Sequence, residues 1–161
     1  MTKAFSEIDR YKLECASHYL AHIDSLDKTQ ADAETQIAVI EAMAMPGAMR
    51  YDAVNVQTSP SDDAIPNAVS ALEDVSDLEY LIEQVKEERA KFCLMLRYEI
   101  KSVGGTFLYT HYKYGIDYKT IARTAGIDES TERRKRKEAL VEMYDKGLVP
   151  QEYRIPIERA I

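Results

Sequence analysis

The sequence predicts an all-α protein in which two long helices, antiparallel or coiled-coil-like, precede a C-terminal module of shorter helices. Three observations support this fold class. Glycine and proline, which interrupt helices, are absent from residues 1–45. Apolar residues recur at three- and four-residue steps in two long stretches. Proline and glycine then cluster between the two stretches and again after residue 100.

The first long helix is predicted within residues 1–45, either as one helix or as two with a break at residues 25–29. Its apolar stripe has the spacing of a surface that packs against another helix. The stripe consists of Phe5, Ile8, Cys15, Tyr19, Ile23, Leu26, Ala33, Ile37, Ile40 and Ala44.

A linker is predicted over residues 46–66, which contain three of the five prolines. The second long helix is predicted over residues 67–103, ending at Gly104-Gly105, with Pro66 suited to its first turn. Its stripe consists of Val75, Leu78, Ile82, Val85, Phe92 and Leu96.

Neither long helix can bury its apolar stripe alone. The stripes must therefore pair with each other or with copies of themselves in a second subunit. We expect residues 1–103 to form an oligomerisation domain of a homo-oligomer, separable from the rest of the chain by a cut near Gly104. The expected interface residues are Ile37, Ile40, Ile82 and Val85.

Residues 104–150 have the spacing of a helix-turn-helix module, followed by a tail at 151–161. Ala122 is a small residue four positions before Gly126, which suits a tight turn between two helices. Asp128 is placed to cap the second helix, which carries an unbroken run of five cations. We expect double-stranded DNA to contact Lys119, Ser130, Thr131, Arg133, Arg134, Lys135, Arg136 and Lys137.

The distribution of charge supports DNA as the partner of this module. Residues 1–90 carry 7 Lys and Arg against 18 Asp and Glu, whereas residues 91–161 carry 14 against 10. The whole-chain net charge of −7 therefore hides a basic C-terminal part, and phosphates respond to the local field. Four nearby tyrosines are expected to build the small core of the module: Tyr109, Tyr112, Tyr114 and Tyr118.

The segment 108–140 resembles sigma factor region four and, more closely, the phage RinA/ArpU-type late transcription regulators. The matching residues are Tyr112, Gly115, Tyr118, Ile121-Ala122, Gly126-Ile127, Ser130-Thr131 and Ala139-Leu140. The resemblance implies a sequence-specific transcription regulator of phage or prophage origin. The chain departs from the family at Glu132 and Lys135, where apolar residues are usual, so the start of the second helix either is held by side-chain stems and caps or becomes ordered on DNA.

Two other functions fit the same layout. A small terminase-like DNA-packaging subunit also joins such a module to oligomerising helices, although the module usually comes first. A helical interaction protein that binds RNA polymerase or another regulator is the second alternative. We expect no metal site or cofactor, because Glu14, His18 and His22 lack a further ligand nearby. We expect no enzyme activity, because no carboxylate, serine or cysteine has neighbours that would activate it for catalysis.

The sequence also bears on location. No apolar run is long enough to cross a bilayer, and the N-terminus lacks the apolar core of a secretory signal. Cys15 and Cys93 are far apart and fit buried or partly buried thiols in a reducing compartment. We expect the cytoplasm of a bacterial host.

Overall fold

The computed structural model describes residues 6–44 and 64–154, and every regular element within these two ranges is a helix. The all-α fold class is therefore confirmed for the described part of the chain. Most of the predicted linker, residues 46–63, and the end of the predicted tail, residues 155–161, lie outside it. The helices are α1 (Glu7–Ala44), α2 (Ala64–Tyr98), α3 (Val103–Tyr114), α4 (Tyr118–Ala125) and α5 (Glu129–Asp145), followed by a short 3₁₀ turn (Gln151–Tyr153).

Helix α1 is one continuous helix, with no break at residues 25–29. The Thr29 hydroxyl donates to the Ser25 carbonyl at 3.1 Å within the helical turn, so neither residue interrupts the helix. At the start, Ser6 and Asp9 exchange side-chain to backbone hydrogen bonds in the manner of a capping box. Ile8, predicted in the stripe, is 62% exposed, because it lies in the first turn, ahead of the packed part of α1.

The predicted end of the second long helix is wrong. Helix α2 ends at Tyr98, and Gly104 and Gly105 lie in the first turn of α3. A Cβ on Gly104 would lie 1.9 Å from the carbonyl oxygen of Lys135, and one on Gly105 would lie 2.5 Å from Cγ2 of Ile100. Gly104 is therefore needed for the close approach of the α5 backbone, and Gly105 leaves room for the Ile100 side chain; neither terminates a helix.

The chain divides into two compact units, which we call the arm (residues 25–88) and the head (residues 1–24 with 89–161). This division differs from the predicted domains 1–103 and 104–150, because both long helices contribute to the head. In the arm, the predicted interface residues Ile82 and Val85 are buried within a single chain, and Ile37 and Ile40 are half-buried. The apolar stripes of the arm are thus largely covered without a second subunit.

The head is built around α3, α4 and α5, which pack on one another. The start of α1 joins them: Lys12 forms an ion pair with Asp145 at 2.6 Å, and Tyr11 meets Tyr144 edge-on at 5.9 Å. The end of α2 contributes buried side chains as well. The buried apolar residues of the head are Cys15, Ala16, Ile23, Phe92, Leu96, Ile100, Phe107, Leu108, Ile121, Ala122, Ala139, Leu140, Met143 and Val149.

The four clustered tyrosines only partly match their predicted core role. Tyr112 is half-buried and meets Phe92 edge-on, with ring centroids 5.1 Å apart. Burial raises the pKa of Tyr112, reinforced by Tyr118 and Asp24. Tyr114, by contrast, is 64% exposed, so its core assignment is wrong. It lies in the last turn of α3, just before Gly115 takes a left-handed conformation with φ of 70°.

Within the described ranges, no helix is long and apolar enough to span a membrane. Cys15 is buried and Cys93 is half-buried, and both are free thiols, as predicted. Burial raises the pKa of Cys93, which keeps this thiol in its protonated form.

Candidate nucleic-acid interface

The turn between α4 and α5 is held as the sequence predicts. Gly126 follows α4 with φ of +72°, a conformation that side chains resist. The N–H of Ile127 donates to the Ala122 carbonyl at 3.1 Å, and Ala122 itself is buried. The Asp128 carboxylate then accepts from the N–H of Thr131 at 2.9 Å, which caps α5. Hydrogen bonds from Thr131 lower the pKa of Asp128.

The inner face of α5 contains an unexpected charged residue. Glu132, Arg136, Ala139 and Met143 follow one another at helical spacing on this face, and Glu132 is only 2% exposed. Its carboxylate is paired with Nε of Arg136, one turn further along α5. A buried carboxylate is costly unless a partner compensates it, and Arg136 supplies that partner.

Arg136 continues into a stack of rings that joins the three helices. Its guanidinium lies 3.6 Å from the centroid of the Tyr118 ring on α4. The Tyr118 ring stacks on His111 of α3, with centroids 4.1 Å apart and an interplanar angle of 21°. Nδ1 of His111 lies 2.7 Å from the carbonyl oxygen of Ile116, within hydrogen-bonding distance. We call Glu132, Arg136, Tyr118 and His111 the stacked column.

The stacked column has two consequences. Burial raises the pKa of Tyr118 to about 12, against the opposing effect of the nearby Arg136 charge, so the phenol stays neutral. Arg136 is engaged inside the head, although the sequence placed it among the cations expected to contact DNA. The neighbouring Lys135 is half-buried, and its backbone carbonyl lies close to Gly104 of α3.

The outer face of α5 carries the cations that are available to a partner. Ser130, Arg133, Arg134 and Lys137 recur at positions i, i+3, i+4 and i+7, opposite the face that packs on α3 and α4. Ser130 and Arg133 are exposed, and Arg134 and Lys137 are half-buried. Arg134 lies 4.0 Å from Glu138 in an exposed ion pair, so it is partly neutralised. We call these four residues the outer face.

Helix α4 adds two exposed cations to the same module. Lys119, predicted from the sequence, is exposed in its first turn. Arg123 is exposed one turn later and was missed by the sequence analysis. The sequence does indicate this position: Arg123 follows Lys119 by four residues, so both side chains lie on one face of α4. Ile121 and Ala122, between them in sequence, are buried on the other face. Of the other predicted contacts, Thr131 is half-buried at the start of α5.

A second carboxylate fixes α3 against α5. Glu142 accepts from the backbone N–H of Lys101 at 2.8 Å and of Ser102 at 3.1 Å, and it pairs with Nζ of Lys146 at 2.8 Å. Burial alone would raise the pKa of Glu142, but these donors outweigh it and lower the pKa to about 2. Glu142 thus ties the two residues that precede α3 to α5, and the side chain of Ser102 forms no capping hydrogen bond.

The described residues contain no group of three or more His, Cys, Asp or Glu side chains that could hold a metal ion. His22, considered for such a site, packs against the Tyr153 ring with centroids 5.7 Å apart. Comparisons of the chain with protein-family models, with curated proteins and with solved structures find no match.

Proposed function

We propose that the protein is a sequence-specific DNA-binding transcription regulator whose α3, α4 and α5 act as a helix-turn-helix module. The observation that carries this proposal is the separation of the two faces of α5. The inner face packs through Glu132 and Arg136, whereas the outer face carries the exposed Ser130 and Arg133 and the half-buried Lys137. A helix of this kind fits the major groove with its outer face toward the base edges.

The side chains of the outer face suit both contacts to base edges and contacts to phosphates. Arginine forms paired hydrogen bonds with guanine, and lysine contacts phosphate as a point charge. Lys119 and Arg123, both exposed on α4, suit phosphate contacts that position the module without selecting a sequence. Arg133 is the best candidate for a base contact, because it is exposed near the start of α5, where recognition helices meet base edges.

The buried position of Glu132 keeps one carboxylate of α5 away from the outer face. A carboxylate in a recognition helix would repel phosphate, but Glu132 is paired with Arg136 inside the head. Asp128, which precedes α5, is occupied with the N–H of Thr131. The resemblance to phage late regulators adds the expectation of a phage or prophage origin.

The direct test is a selection of bound fragments from bacterial and phage genomic DNA, followed by affinity measurement at low salt. We expect the parent protein to enrich a defined sequence. The variant with Arg133→Ala and Lys137→Ala should bind that sequence at least about tenfold more weakly, since each lost phosphate or base contact costs on the order of 1 kcal/mol.

The control variant, Lys28→Ala with Lys86→Ala, removes the same charge from exposed positions of the arm. It should bind like the parent protein. Equal loss in both variants would show a nonspecific charge effect, and no enrichment at all would overturn the proposal.

A further inference from the structure

The head carries an exposed cluster of aromatic and basic side chains away from the outer face of α5. Arg97, near the end of α2, donates to the Tyr109 hydroxyl at 3.3 Å and lies over the rings of Tyr98 and Tyr109 at 5.5 and 5.6 Å. Tyr114 meets Tyr109 edge-on at 6.1 Å. We call Arg97, Tyr98, Tyr109 and Tyr114 the aromatic patch.

The aromatic patch has the composition of a binding surface. Tyr98 and Tyr114 are 58% and 64% exposed, and Arg97 is exposed as well. Tyrosine and arginine dominate the energetically important positions of protein interfaces, because they are rigid and combine apolar area with a polar tip. Residues 91–116 carry four Lys or Arg and a single carboxylate, Glu99, so the patch suits an acidic partner.

The arm carries a surface of complementary chemistry. Val69, Leu72 and Tyr80 recur at helical spacing on α2 and are exposed, Leu72 to 55% and Tyr80 to 67%. Ala71, Val75 and Ile82, on the opposite side of the helix, are buried. Glu73 and Asp77, both exposed, border these apolar residues. Residues 64–85 contain five carboxylates and neither Lys nor Arg.

We propose that the aromatic patch of one chain binds this acidic apolar face on the arm of a second copy. The apolar side chains of the acidic face would pack on Tyr98 and Tyr114, while Glu73 and Asp77 face Arg97. Opposite charges at the edge of an apolar contact favour the correct partner and register. Each chain carries both surfaces, and we propose a twofold dimer in which the contact is made twice.

This interface differs from the one expected from the apolar stripes. Ile82 and Val85 are already buried in a single chain, so they are not free to join two copies. The aromatic patch and the acidic face are exposed in the single chain. A twofold dimer of this kind would also present two copies of α5 to DNA, as the twofold symmetry of many operators requires.

The test uses full-length protein and two charge-reversal variants in sedimentation velocity. The head variant carries Arg97→Glu, and the arm variant carries Glu73→Lys with Asp77→Lys. We expect the parent to dimerise and each variant alone to dissociate at least about tenfold more readily, because like charges then face each other. Mixing the two variants should restore dimers, since each altered surface then meets an opposite charge.

The control variant, Glu14→Lys with Glu41→Lys, reverses two exposed carboxylates on α1, which belong to neither proposed surface. It should dimerise like the parent. Circular dichroism verifies that all variants stay helical. A parent that is monomeric at about 100 μM, a concentration at which specific dimers are populated, would overturn the proposal. Variants that dimerise alone, or mixtures that stay monomeric, would also overturn it. DNA binding is scored separately, so failure here leaves the proposed function standing.

Discussion

The arm and the head bury different kinds of residue. In the described part of the arm every buried side chain is apolar: Leu26, Ala33, Ala71, Val75, Ile82 and Val85. The head buries a carboxylate, Glu132, and brings the backbones of α3 and α5 together at Gly104. The arm is therefore built from a repeating pattern that tolerates exchange of one apolar residue for another. The head depends on individual pairings, and it should respond sharply when one partner is removed.

The largest expected effect is the loss of folding when the head is separated from the two long helices. A fragment of residues 103–161 contains α3, α4 and α5 but lacks the start of α1 and the end of α2. It therefore loses the buried side chains of Cys15, Phe92 and Leu96 and the pairing of Lys12 with Asp145. We expect it to show no cooperative thermal transition, because too little apolar surface remains to bury.

The same measurement on the full-length chain is the control and should show cooperative melting of the head. This expectation replaces the one drawn from the sequence, in which a cut near Gly104 releases an independent module. A fragment that melts cooperatively and binds the selected DNA would show that the head does not need the long helices.

The sequence predicted the repeating and local features of the molecule well. Apolar spacing identified the two long helices, and the Ala122–Gly126 spacing with Asp128 identified the turn and cap that the structure shows. These features depend on residues close together in the chain. The hydrogen bond from Lys101 to Glu142 joins residues about forty positions apart, and no local pattern indicates it.

Two features of the head have the same physical origin. A glycine pair after a long helix usually marks its end, but Gly104 is needed because the Lys135 carbonyl approaches it. A run of five cations suggests five solvent-facing charges, but helical spacing turns Arg136 inward toward Glu132 and Tyr118. In both cases the tertiary contact, which the sequence does not reveal, decides the role of the residue.

The second prediction tests the stacked column. Arg136→Ala should destabilise the protein by about 3–5 kcal/mol, because it leaves the carboxylate of Glu132 buried without its partner. Urea unfolding followed by circular dichroism measures the change. Arg133→Ala, which removes an exposed cation one turn away, is the matched control and should change stability by less than about 0.5 kcal/mol.

A double variant separates the charge pair from the packing. Glu132→Leu with Arg136→Met replaces both charges by apolar groups and keeps a side chain over the Tyr118 ring. We expect its stability to lie within about 1 kcal/mol of the parent, since a buried ion pair gives little net stability over an apolar pair. A double variant as unstable as Arg136→Ala would mean that the column acts through its charges.

The third and smaller effect concerns Glu142 and pH. Its folded pKa of about 2 lies below the ordinary value of 4.5, so its contribution is complete above about pH 5 and disappears as pH falls toward 2. Glu142→Gln should therefore cost on the order of 2 kcal/mol at pH 7 and progressively less in acid. Unfolding free energies between pH 7 and 3 test this. Glu138→Gln changes an exposed carboxylate on α5, and its stability difference from the parent should hardly change with pH.

The central claim is that α5 binds DNA through its outer face while Arg136 serves the fold. The most direct test is the salt dependence of DNA affinity, because its slope counts the cations that displace counterions from phosphate. We expect Arg133→Ala and Lys137→Ala each to reduce the slope by up to about 1. The Lys86→Ala control and the Glu132→Leu, Arg136→Met variant should keep the parent slope. Equal slopes for all of these variants, or a reduced slope only where Arg136 is replaced, would contradict the account.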